Sequence, residues 1–230
     1  MDEVWVSDWG ADIRIGNKQG LAFKFYGHEW EEKYIRHEVP AEPSDVRALS
    51  ARHYSGESLK REEMTEAAFI YDESRFKRLK ELFIAGAFYG VRGKLAQVLG
   101  QADLGTGCLY PFPIYQEDKQ TLQDVVEGPF YLLNFGAQKH SFLPDESNPE
   151  TVRPFFTLER HGIEVWESDF GTYDDDVAVS AAAFDGPDIW FEPKLSGKIF
   201  MSDRLVKALR KAKVKVNFDL KKCRVVGGRA

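Results

Sequence analysis

Only two cysteines occur in the 230 residues, Cys108 and Cys223. They lie too far apart to form a local staple or the paired ligands of a small metal motif, and they read as free thiols in a reducing compartment. Long apolar runs are missing too, since nothing approaches the ~18 to 20 consecutive apolar residues of a membrane-spanning helix. The opening MDEVWVSDWG carries acids where a secretory leader carries basic residues. These absences predict a soluble, cytoplasmic protein with no membrane partner.

Signatures of catalysis are scarce. The five histidines, His28, His37, His53, His140 and His161, have no carboxylate or cysteine at ligand spacing, so surface or hydrogen-bonded structural roles are expected. No nucleophile-elbow sequence occurs. Gly100, Gly105 and Gly107 follow a helical stretch, whereas a phosphate loop precedes its helix. No catalytic residue, cofactor or metal is assigned from these patterns.

Aromatics are plentiful, with 17 Phe, 9 Tyr and 5 Trp, which predicts a real hydrophobic core. Val4–Trp9 and LAFKFYG (21–27) read as strands, and 57–66 as a solvated helix or surface connector. The spacing of Phe76, Leu79, Leu82 and Phe83 predicts a helical face. A second helix is expected where Val91, Leu95, Val98, Leu99 and Ala102 form a stripe. CLYPFPIY, with Pro111 and Pro113, suits a sheet edge. FYLLNF (130–135), PFFTLE (154–159), IEVWE (163–167) and DIWFEP (188–193) read as strands, with His161-Gly162 as a hairpin turn. Ser202 is the expected N-cap of a helix burying Leu205, Val206, Ala208, Leu209 and Ala212, followed by an alternating strand at 214–220. Leu95, Leu99 and Ala102 recur as Leu205, Leu209 and Ala212, an offset of 110 that suggests a repeated helix–strand unit. The expected class is α+β: a mixed, mostly antiparallel sheet with helices near 75–102 and 202–212 packed on it. Residues 1–70 form a strand-rich region or small lobe, and 71–230 the main domain.

The net charge of −6 argues against general affinity for nucleic acid, which depends on neutralising phosphates. The average conceals two poles. From Ser141 to Glu192 there are 13 acids against Arg153 and Arg160, a net of −11. From Arg204 onward there are 10 basic residues against Asp219, a net of +9. Within the acidic pole, Asp169, Asp174, Asp175 and Asp176 match no alternating calcium loop, and a strand would split them between two faces. Trp166, Phe170, Tyr173 and Trp190 interleave with these acids, a pattern suited to a basic protein partner. These eight residues are the candidate contact surface. Two alternatives stay open: a metal-dependent enzyme using Asp169–Asp176, and a nucleic-acid-docking module using the basic C-terminal helix.

One resemblance bears on this choice. Tyr131-Leu132-Leu133-Asn134, and the terminal block Ile199, Phe200, Met201, Ser202, Asp203, Leu205 and Leu209, resemble a bacterial polymorphic-toxin immunity family. It is the eleventh-numbered immunity family, first defined as a domain of unknown function, with its type member from Myxococcus. The likeness covers about residues 75–226. It departs at Arg92 and Gly93, where members usually place a capping serine, and at Lys213-Val214-Lys215, where they often carry glycine. It implies a non-enzymatic cytoplasmic antidote that binds a cognate toxin stoichiometrically and blocks it by occlusion, with no catalytic residues to assign. Association into a homodimer stays open.

Overall fold

The computed structural model describes residues 2–7, 19–27, 44–116, 126, 128–158, 163–169 and 172–227. Within them lie fifteen strands and four α-helices, an α+β fold in several mostly antiparallel sheets. In chain order these are β1 (Val4–Ser7), β2 (Leu21–Phe25), α1 (Ser44–His53), β3 (Thr65–Ile70) and α2 (Glu73–Phe76). Next come β4 (Leu82–Ala85), β5 (Phe88–Arg92), α3 (Gly93–Leu99), β6 (Cys108–Pro111), β7 (Ile114–Gln116) and β8 (Phe130–Asn134). The last third holds β9 (Val152–Leu158), β10 (Ile163–Ser168), β11 (Ala178–Ser180), β12 (Ile189–Phe191), β13 (Ile199–Ser202), α4 (Asp203–Ala212), β14 (Leu220–Lys222) and β15 (Arg224–Val226).

Two four-stranded antiparallel sheets form the frame, ordered β4-β5-β8-β6 and β12-β13-β1-β14. They share one plan: an outer strand, an inner strand running directly into a helix, and a return strand at the far edge. The fourth strand is inserted between the inner and return strands. Their registers also agree. One cross-strand row reads Leu82–Val91–Tyr131–Pro111 and the other Ile189–Met201–Trp5–Lys222. Val91 and Met201 are 110 positions apart, the offset at which the helical leucines recur. The repeat is therefore strand–strand–helix–strand, with β8 completing one sheet and β1 the other.

The helices lie in contact with each other, and α3, α4 and the facing sides of both sheets share one apolar core. It includes Val91, Leu95, Leu99 and Leu133 from one unit, and Trp5, Met201, Leu205 and Leu209 from the other. Burying Leu205, Val206 and Leu209 contributes roughly 1.5–3 kcal/mol each. The opposite face of the first sheet is covered by the sheet β2-β3-β7, and that of the second by Phe142, Val177 and Val179.

The two helices start differently. Ser202 caps α4, its Oγ accepting the Leu205 N–H at 3.1 Å. Arg92 at the matching position supplies no side-chain cap; instead Glu81 Oε1 accepts the Lys94 N–H at 2.8 Å. The capping serine missing from the sequence is thus replaced from the segment preceding β4.

Several expectations require correction. The stretch 72–88, expected to be helical, is helical only at Glu73–Phe76; Leu82–Arg92 is the β4–β5 hairpin. Gly86, at φ +69°, sets its two-residue turn with Ala87, and the aromatic residues favour the pleat. Leu59 and Met64 are buried, so 57–66 is no solvated helix, and only Arg61–Glu63 forms a 3-10 turn. Residues 214–219 alternate inward and outward without joining a ladder; the Lys215 N–H donates instead to Glu81 Oε2 at 3.2 Å. CLYPFPIY lies at sheet edges as two strands, β6 and β7, in different sheets. The first seventy residues share sheets with later ones: β1 lies inside the second frame sheet and β3 pairs with β7. Gly107 and Gly136 let two backbones cross: a β-carbon on Gly136 would meet Gly107 N at 1.9 Å.

His53 is neither exposed nor hydrogen-bonded. It is fully buried, and neither ring nitrogen has a partner. Phe135, Tyr54 and Phe88 surround it at 4.8, 5.1 and 5.2 Å between centroids. Burial lowers its pKa to about 3. His140 is exposed, and His28, His37 and His161 lie outside the described residues. Both cysteines are free.

Candidate interaction surface

Part of the exposed surface of the acidic pole is built by β9 and β10. Strict alternation would turn one of the adjacent phenylalanines of VRPFFTL inward, but the pairing is not regular. Val165 faces Phe156 and Trp166 faces Pro154, so Phe155 is the extra residue of a bulge. The Phe155 and Phe156 rings meet edge to face, 5.1 Å apart, and are 55% and 44% exposed. Every residue from Arg153 to Thr157 is exposed.

The hairpin is fastened through its other strand. The Trp166 N–H donates to the Lys194 carbonyl at 2.7 Å, and the Ser196 N–H donates to the Trp166 carbonyl at 2.8 Å. At its base Arg153 is held by Glu167 and Asp169, both at 3.0 Å. Among the described residues no strand pairs with the outer edge of β9.

Next in sequence is the turn 173–176. Tyr173 is 72% exposed. Asp174 Oδ1 accepts the Lys222 N–H at 2.8 Å, and Asp175, at φ +70°, donates its N–H to the Lys222 carbonyl at 2.9 Å. Asp176 is buried, accepting from Asn148 Nδ2 at 2.7 Å and from the Tyr173 N–H at 2.8 Å. Burial pushes its carboxyl upward, but the hydrogen bonds from Tyr173, Asn148 and Thr151 outweigh this and hold it below the usual carboxylate range.

The eight expected contact residues are therefore divided. Tyr173, Asp174 and Asp175 lie at the surface, Trp166 and Asp169 are half-buried, and Asp176 folds the turn. Phe170 lies outside the described residues. Trp190 must be withdrawn: it is fully buried, stacked on Phe200 at 5.8 Å, with Nε1 donating to Glu192 Oε1 at 3.1 Å. Lys139 Nζ sits 3.4 Å from its ring centre, and burial lowers that amine to about 8. Phe155 and Phe156 were missed; the available signal was two consecutive phenylalanines in a strand with an otherwise acidic neighbourhood.

Among the described residues no three His, Cys, Asp or Glu side chains are grouped to hold a metal ion. Asp169, Asp174 and Asp176 each engage a different protein partner. The basic pole is engaged in part. Arg204 pairs with Asp188 at 2.8 Å, Lys207 with Asp203 at 2.5 Å, Lys221 with Asp219 at 3.1 Å and Lys222 with Glu3 at 2.6 Å. Arg210 lies over the Trp5 ring at 4.6 Å. No helix among the described residues is long and apolar enough to cross a membrane. A scan of protein-family models and a search of curated proteins find no match to this chain.

Proposed function

We propose that this chain is a cytoplasmic antidote, a non-enzymatic protein that binds a cognate bacterial toxin stoichiometrically and covers its active site. The observation carrying this reading is the exposure of aromatic and acidic side chains within one acidic stretch of the chain: Phe155, Phe156, Tyr173, Asp174 and Asp175. Full burial of a phenylalanine contributes roughly 1.5–3 kcal/mol, so two half-exposed rings hold about that much in reserve for a partner. The carboxylates of the same acidic stretch speed encounter with a basic protein and mimic the phosphates that a nuclease binds. The resemblance at Tyr131–Asn134 and Ile199–Leu209 supplies the class of partner. An occluding antidote needs shape and charge and no reacting group.

Neither alternative has a specific observation in its favour. The carboxylates at 169–176 diverge onto protein groups, and four basic residues of the tail, Arg204, Lys207, Lys221 and Lys222, are paired with internal acids. Growth rescue tests the reading. Cells expressing the product of the adjacent gene should arrest, and co-expression of this chain should restore growth. Arrest unchanged by the chain would refute the assignment.

A further inference from the structure

We infer that the bulge in β9 makes a two-ring wedge: Phe155 and Phe156 enter an apolar pocket of the toxin rimmed by lysine and arginine, and binding occurs through side chains without strand addition. This rests on the antidote reading above.

The bulge places the two consecutive rings against each other at 5.1 Å and leaves both exposed. The β9 edge is free, yet poorly suited to another strand. Pro154 has no N–H to donate, and the bulge at Phe155 interrupts the ladder at the next position. What β9 offers a partner is its rings. Because β10 is tied to Lys194 and Ser196, the rings are held in place before contact, which lowers the ordering cost of binding.

Charge selects the occupant. From residue 150 to residue 176 the chain carries eight acids against Arg153 and Arg160, a net of −6. Arg153 is already held by Glu167 and Asp169. A second copy related by a two-fold axis would bring the same negative field to the same place, and anionic lipid would be repelled. A cationic protein face is complementary, with exposed carboxylates of this segment such as Glu164 and Asp175 guiding approach.

Binding kinetics of the purified product of the adjacent gene test this, with circular dichroism verifying that each variant is folded. The Phe155→Ser/Phe156→Ser double variant should dissociate at least about 30-fold faster with little change in association. The Glu164→Lys/Asp175→Lys double variant should associate about 10-fold more slowly and lose most of the salt dependence. Deletion of Phe155, which restores regular pairing, should weaken binding; tighter binding would overturn the wedge in favour of strand addition. A complex indifferent to both phenylalanines would overturn the wedge while leaving the antidote reading intact. Failure of the unaltered chain to bind would overturn both. A dimer of the free chain that Phe155→Ser/Phe156→Ser abolishes would assign the rings to a second copy.

Discussion

Asn134 and Leu59 are joined amide to amide: the Leu59 N–H donates to Asn134 Oδ1 at 3.0 Å, and Asn134 Nδ2 donates to the Leu59 carbonyl at 2.9 Å. The segment between α1 and β3 is thereby fixed to the central strand β8. Asn134→Leu leaves a buried backbone donor and acceptor without these partners. The expected loss is about 3 kcal/mol, read from urea denaturation. A loss below about 1 kcal/mol would contradict this role for the residue that ends the Tyr-Leu-Leu-Asn motif.

The two helix starts make a paired prediction. Ser202→Ala removes the cap on α4, and Glu81→Ala the acceptor that α3 takes from outside the helix. Each should lower stability by about 1 kcal/mol. Adding Arg92→Ser to Glu81→Ala should recover part of the loss, because the serine stands where Ser202 stands in the other unit. Thermal melts of the single and double variants check this.

His53 predicts an acid limb in stability. Its folded pKa is about 3 against an ordinary 6.5, so the unfolded chain takes up the proton first. The contribution is fully present above pH 6.5 and disappears as pH falls toward 3, for a total of about 4–5 kcal/mol. His53→Phe should flatten this part of the profile and raise stability near pH 5. Identical slopes between pH 6.5 and 4 would contradict it.

The wedge residues should matter less for folding than core phenylalanines. Phe155 and Phe156 are about half exposed, so Phe155→Ser/Phe156→Ser should lower stability by no more than about 1.5–3 kcal/mol for the pair. Differential scanning calorimetry checks this independently of any partner. A large drop would make the rings part of the core.

The legible parts of the fold were those where local chemistry and tertiary packing agree. Ser202 followed by the stripe Leu205–Leu209 specifies a capped amphipathic helix from its own residues, and β8 is apolar along its length because both faces are buried. The 110-residue offset was visible because equivalent positions pack into one shared core. At 72–88 periodicity misled, since Leu82 and Phe83 face opposite sides of a strand, toward two cores, and so are apolar at adjacent positions. The same ambiguity hid the site. Trp190 and Tyr173 are both aromatics among acids, and only the tertiary structure buries one and exposes the other. The bulge at Phe155 depends on pairing with β10, which no reading of β9 alone contains.

Native mass spectrometry of this chain co-purified with the product of the adjacent gene tests the central claim most directly. The account predicts an assembly whose mass is a fixed integer combination of the two chains and which Phe155→Ser/Phe156→Ser destabilises. Two free proteins with no assembly at micromolar concentration would contradict it.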